Sequence, residues 1–149
     1  MTVRVQEAPF EFGAEAQAFA TGRSGAEAGA VVTFTGIVRD LPDTPLHEMM
    51  IEHYPGMTER ALAGIEADAR ARWDLKDVLI IHRYGLMRPG DMIMMVATAS
   101  AHRKDAFDAA TFLMDYLKSR APFWKKERTA EGEEWVASKA EDEDALTRW

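Results

Sequence analysis

Lys118 and Lys125 lie on either side of Pro122 in HRKDAFDAATFLMDYLKSRAPFWKKER (102–128), a segment able to hold an anion or to activate an amine. It carries seven Lys/Arg (103, 104, 118, 120, 125, 126, 128) against four Asp/Glu (105, 108, 115, 127), a local net of +3 in a chain whose net charge is -7. A basic island in an acidic protein is a candidate anion site, because the remaining surface repels an anionic ligand. Wound at 100° per residue, positions 101–120 put Ala106, Ala109, Ala110, Leu113 and Leu117 on one buried face. Arg103, Phe107, Thr111, Met114 and Lys118 form a ridge at its edge. Lys118 therefore sits where apolar packing meets solvent, and partial desolvation there lowers an amine pKa toward the neutral form that a base or nucleophile requires.

Pro122 must end that helix, since it has no N–H to give and disfavours helical geometry at Ala121. The chain can then turn and bring Lys125 back toward Lys118, where two amines suppress each other's protonation or jointly hold one anion. The alternative is that lysines near a helix C-terminus only complement the macrodipole and stay solvated. His102 and Arg103, in the first turn, suit a phosphate together with the backbone N–H groups there. They are equally readable as a capping histidine and a surface arginine. Arg39 ends the best strand and is ambiguous by itself. No metal site is expected: His47 and His53 share a strand face six residues apart without a metal-ligand spacing, and His82 reads as a satisfied core group. The nine methionines read as core filler. Glycine-rich phosphate loops and a nucleophile elbow are absent from the sequence.

The elements that position these groups follow from periodicity. Thr2–Gln6 alternates as a strand, and Phe12, Ala16 and Phe19 line one face of a short helix. A glycine-rich loop (22–29) precedes AVVTFTGIVRD (30–40), whose β-branched residues mark the clearest strand. Pro42 and Pro45 make 41–46 a loop. His47–His53 alternates with Met49 and Ile51 on one side, and Tyr54-Pro55-Gly56 turns into a helix over Met57–Trp73 with Leu62, Ile65, Ala69 and Trp73 as its stripe. Asp77–Tyr84 and Met92–Ala99 read as antiparallel strands joined through a Pro89-Gly90-Asp91 turn, and Ser100 as the N-cap of a helix starting near Ala101. The tail beyond Arg128, with seven acids (131, 133, 134, 141–144) against Lys139 and Arg148, reads as a solvated segment or a subunit contact. The mixed order of strands and helices fits an α+β fold, and 149 residues suit a single domain over 1–149.

Composition narrows the function classes. With 47% hydrophobic and 29% charged residues the chain is an ordinary globular protein. No apolar run approaches the roughly 20 residues of a membrane span, and the N-terminus lacks a signal pattern, so a cytoplasmic location without membrane attachment is expected. The acidic balance argues against nucleic acid. Cysteine is absent, so any sulfur chemistry needs a second molecule to carry the sulfur.

Five blocks, GAVVTFTGIVRD (29–40), IEHYPGMTERAL (51–62), IIHRYG (80–85), TASAHR (98–103) and MDYLKSRAPFWKKE (114–127), closely resemble the catalytic large subunit of molybdopterin synthase. The resemblance runs from about Gly29 to Trp149, with a loose match before it. It implies an α+β fold of the α/β-hammerhead type, a homodimer at the core of a heterotetramer, and no cofactor. The implied partner is a small ubiquitin-like sulfur carrier ending in a Gly-Gly thiocarboxylate. The implied substrate is cyclic pyranopterin monophosphate, which gains two sulfurs as the dithiolene of molybdopterin. Residue by residue, Lys118 and Lys125 match the family's catalytic lysines. Arg39, His102 and Arg103 match its substrate pocket, and Phe34 and Met114 the lining of the carrier tail's approach. Lys139 stands where an arginine is often contributed across the dimer. Lysine keeps the charge and loses the bidentate geometry. The loop DLPDTPLHE (40–48) is shorter and richer in proline than is usual in the family, and Ile37 replaces a frequent cation. Two other classes compete with the enzyme reading: a non-catalytic docking or regulatory module for a ubiquitin-like tail, and a small nucleic-acid-binding domain. Retention of both lysines, the His-Arg pair and Arg39 weighs against the first, and net charge against the second.

Overall fold

The computed structural model describes residues 3–22, 25–136 and 140–149. Its strands are β1 (Val3–Gln6), β2 (Ala30–Ile37), β3 (Leu46–His53), β4 (Leu75–Arg83), β5 (Gly85–Met87), β6 (Met92–Ser100), β7 (Phe123–Thr129) and β8 (Gly132–Trp135). The helices are α1 (Phe12–Ala20), α2 (Met57–Arg72), α3 (Arg103–Arg120) and α4 (Ala140–Ala145). The strands form two four-stranded sheets, ordered β1-β4-β6-β2 and β5-β3-β7-β8, with β1 parallel to β4 and every other pairing antiparallel. The expected α+β arrangement is the one observed.

The first sheet is covered on both faces, which is why its central strands read as unbroken apolar runs. On one side Val78, Ile80 and Val96 pack beneath α2 and α3 with Leu62, Ile65, Ala69, Phe112 and Leu113. On the other, Leu79, Ile81, Met95 and Ala97 pack with Phe19, Phe12 and Ala16 of α1. The first of these clusters also takes in Met49 and Ile51 of β3 and Met87 of β5, so one core clamps the two sheets together.

Three local expectations change. Strand β2 stops at Ile37, because its register with β6 shifts between Gly36 and Ile37 and Val38 instead bonds to the turn before β6 (Val38 N–H to Asp91 carbonyl, 2.8 Å; Gly90 N–H to Val38 carbonyl, 2.8 Å). The expected β4–β6 hairpin is interrupted by β5, which crosses to the second sheet and pairs with β3. Gly85 and Gly90, at φ of 94° and 96°, make the two sharp turns of that detour in a region that favours glycine. Ser100 is not the helix cap: its backbone still belongs to β6, paired with Ala30 and Leu75, and its hydroxyl donates to the His102 carbonyl. His102 occupies the N-cap position instead, without a side-chain capping bond.

The tail is exposed for much of its length but folds back onto α3. Trp149 sets its ring edge-on to Trp73 and Phe112 (centroids 5.6 and 5.5 Å), and its indole N–H donates to Asp115 at 2.7 Å. Arg148 also binds Asp115, at 3.0 Å. Phe112, nearly fully buried, was absent from the expected apolar face of α3; it belongs to the core cluster and also packs edge-on to Trp73 and Trp149. Trp149→Ala is expected to lower stability by about 2 kcal/mol through lost aromatic packing and the loss of one of the hydrogen bonds to Asp115. Urea unfolding measures this, and a midpoint equal to wild type would show that the tail is not an anchor.

Candidate active site

Helix α3 lies flush on β6 and β2 because its contact face is built from Ala106, Ala109 and Ala110, all buried. The Thr98 hydroxyl pins it further by donating to the Ala106 carbonyl at 2.7 Å. The helix ends at Arg120, and Ala121 adopts an extended conformation (φ -75°, ψ 136°) as Pro122 requires. Strand β7 starts at once and pairs with β3, placing Lys125 opposite Ile51. Residues 123 and 125 share one face of β7, and both turn toward the end of α3.

A cavity of about 140 Å³ opens at this joint. Phe34, Gly36 and Ile37 of β2, Met94 of β6, and Met114, Leu117 and Lys118 of α3 line it, with Phe123 and Lys125 of β7 and His82 of β4. Lys118, Lys125, Phe34 and Met114 are therefore brought together as the sequence reading requires. Ile37, which replaces a frequent cation of the family, is also part of the wall. Arg39 is exposed, two residues beyond Ile37, and is not among the residues that line the cavity.

His102 and Arg103 are not part of this cavity. They are exposed at the opposite end of α3, and fifteen residues of helix put Arg103 about 22 Å from Lys118. Lys139 lies outside the described residues.

Pairing sorts the cations of the basic island. Lys104 binds Asp108 (2.8 Å), Arg120 binds Glu143 (2.9 Å), Lys126 binds Glu133 (3.5 Å), and Arg128 binds Glu48. Two of these acids come from the tail, which thus screens the flanks of the site. Lys118 has no ion pair or hydrogen bond among the described residues. Its stem lines the cavity while the residue as a whole stays exposed.

His82 is the group that the sequence reading left in the core. It is buried at 7% exposure, but it lines the cavity and stacks on Phe123 (centroids 3.6 Å, planes 15° apart). Burial, opposed by its bond to the Arg83 carbonyl and reinforced by Lys125, Lys118 and His53, pushes its pKa down to about 3. A buried histidine in an apolar strand carries no sequence mark of this; only its position two residues before Tyr84, at the strand's end, hinted at an opening. Among the described residues no group of three or more His, Asp or Glu could hold a metal ion, and no helix is long and apolar enough to cross a membrane.

The fold and site define an α+β protein with a small apolar cleft walled by two lysines. The family model described as MoaE protein matches residues 5–120. The molybdopterin synthase catalytic subunit of Cereibacter sphaeroides is 66% identical over 149 residues, with complete coverage of both chains. Among solved structures, the MoaE protein of Burkholderia ambifaria superposes with a TM-score of 0.84 at 48% identity, covering 99% of this chain and 97% of that one. A molybdopterin synthase structure from Staphylococcus aureus gives 0.84 at 29% identity, covering 92% and 98%. This chain belongs to the MoaE family, whose curated relatives are catalytic subunits of molybdopterin synthase.

The displaced pKa has a stability consequence. The unfolded histidine binds a proton near pH 6.5 and the folded one only near 3. Stability from this group is complete above about pH 6.5 and falls, by roughly 1 kcal/mol per pH unit, as pH drops toward 3. The difference in unfolding free energy between wild type and His82→Phe should shrink between pH 6.5 and 5, the part of that window above most carboxylate titrations. A difference independent of pH there would contradict the buried neutral state.

Proposed function

We propose that this chain is the catalytic subunit of a molybdopterin synthase and acts as a sulfurtransferase. It takes sulfur from the C-terminal thiocarboxylate of a small ubiquitin-like carrier and adds it to cyclic pyranopterin monophosphate. The observation that carries this reading is the narrow apolar cleft with Lys118 and Lys125 on facing elements. At about 140 Å³ it is smaller than the roughly 300–1,000 Å³ typical of small-molecule pockets, and it suits a slim Gly-Gly end better than a whole pterin. The bulk of the substrate would then rest at the rim, near Arg39.

The apolar walls strip water from the incoming thiocarboxylate, and the two ammonium groups replace that hydration with fixed positive charge. The thiocarboxylate sulfur attacks a substrate carbon, whose oxygen leaves as water; a water molecule then cleaves the acyl–sulfur bond, so the sulfur stays on the substrate and the carrier departs as a carboxylate. Lys118 polarises the thiocarboxyl carbonyl or moves the proton at that centre, and Lys125 stabilises the developing negative charge. The phosphate needs cations of its own. His102 and Arg103 are too far from Lys118 to serve the same cavity, so in the expected homodimer they would complete the neighbouring protomer's site. Lys139 is assigned the same cross-dimer role.

Lys118→Ala should lower kcat by about a hundredfold or more, and Lys125→Ala by less, in an assay of wild-type chain, thiocarboxylated carrier and substrate that reads molybdopterin as its fluorescent oxidised product. Normal turnover by Lys118→Ala would remove it from the centre. No product from wild type, with the carrier still bound, would favour the docking-module reading.

A shared site has its own signature. Co-expressed Lys118→Ala and Arg103→Ala chains, each nearly inactive alone, should recover about a quarter of wild-type activity through mixed dimers holding one intact composite site. Absence of recovery would place Arg103 outside the site.

A further inference from the structure

We infer that His82 is a positioning residue of the cleft: when the Lys118 side chain turns inward, Nε2 of His82 accepts a hydrogen bond from its ammonium and sets its direction. The inference rests on the reading of Lys118 as the working lysine. Three observations carry it.

The first is where the ring sits. Val78 and Ile80 precede it on the same face of β4 and are buried in the core beneath α2 and α3, but the third position of that row reaches the cavity and is a histidine. The ring lies flat on Phe123, so its plane is fixed.

The second is which nitrogen is used. Nδ1 lies 2.8 Å from the Arg83 carbonyl, and a carbonyl can only accept, so the proton sits on Nδ1 and Nε2 keeps its lone pair. Nε2 makes no hydrogen bond among the described residues. Nor is it sealed, since the only buried side-chain polar atom without a partner among them is the Thr35 hydroxyl. It therefore faces open space in the cleft.

The third is what the cleft otherwise offers. Its remaining side chains are apolar or cationic. A lysine entering it has three N–H donors and no other side-chain acceptor to meet. A carboxylate placed there would orient the ammonium but cancel its charge and repel the incoming thiocarboxylate. A neutral imidazole orients without neutralising. Burial, together with Lys118, Lys125 and His53 around the ring, keeps it neutral, and so prevents a third positive charge from pushing the lysine away.

Nitrogen NMR of histidine-labelled protein tests the contact without turnover. In wild type at pH 7, His82 should show the Nδ1–H tautomer. In Lys118→Met the Nε2 resonance should move while Nδ1 stays in place. An Nε2–H tautomer, or an Nε2 resonance identical in the two proteins, would overturn the inference even if the chain proved not to be a synthase.

Turnover supplies the second arm. His82→Phe keeps the ring stack and should lower kcat at least tenfold, with the KM for carrier within about twofold of wild type. His82→Gln, which returns an acceptor near the Nε2 position, should recover several-fold of that loss. Equal losses in both variants, or a change confined to KM, would make His82 a packing residue only. A wild-type protein that yields no product would fail the synthase reading and leave the NMR result to decide this one.

Discussion

Pro122 cannot continue α3, and it holds Ala121 in an extended conformation, so the chain must leave the helix at one point and in one direction. The helix is itself fixed by a row of alanines small enough to bring it flush onto β6 and β2. The strand that follows is captured by β3 in the other sheet. Lys118 is thus held by one sheet and Lys125 by the other, seven residues apart in sequence across a joint with little freedom. The cleft exists because a single core fastens the two sheets together, with Leu62, Ile65, Met49 and Ile51 in the same cluster. Loosening that core would change the separation of the two amines before it unfolded either element.

The electrostatics of the site are set as much by its surroundings as by its lysines. Exposed ion pairs such as Lys104–Asp108 and Arg120–Glu143 contribute little to stability. Their effect is on the shape of the field. They neutralise the flanks of the basic island, while Lys118 has no ion pair among the described residues. An anion approaching an acidic surface then meets net positive potential at the cleft in preference to its flanks. The acidic tail takes part in this: Glu133 and Glu143 reach cations that periodicity alone would have left in solvent.

Much of this was legible in the sequence, for physical reasons that also explain the rest. The helices α2 and α3 and the strand β2 announce themselves because helical and strand periods are local, and Pro122 is as strict a stop signal as the chain contains. The Lys118–Lys125 juxtaposition followed from that stop. Strand β5 was not legible: three residues paired only to β3 carry no period of their own. The end of β2 was misplaced because it depends on the shift in register with β6, a non-local fact. Ser100 looked like a cap because its type favours caps, but its backbone was already committed to two strand neighbours. His82 was read as core from its apolar strand and is indeed buried. What sequence could not give is that this end of the strand borders a cavity. The distance between Arg103 and Lys118 was readable in principle, since it needs only the rise of one helix. Grouping residues by resemblance concealed it.

The two ends of α3 pose different problems for an anion. At the N-terminus the unpaired N–H groups and the macrodipole contribute roughly half a positive charge, so Arg103 adds to a field that already favours a phosphate. At the C-terminus the last carbonyls contribute roughly half a negative charge, and an anion there is opposed by the helix itself. One ammonium largely offsets the dipole; a second is needed before the cleft attracts an anion strongly. On this account Lys125, delivered from a strand in the other sheet, is a requirement of siting the cleft at the end of a helix, and a single lysine on α3 would have left the cleft close to neutral. Placing a neutral imidazole rather than a carboxylate against Lys118 obeys the same constraint, because any negative group at that end would return the field to the sign the helix imposes.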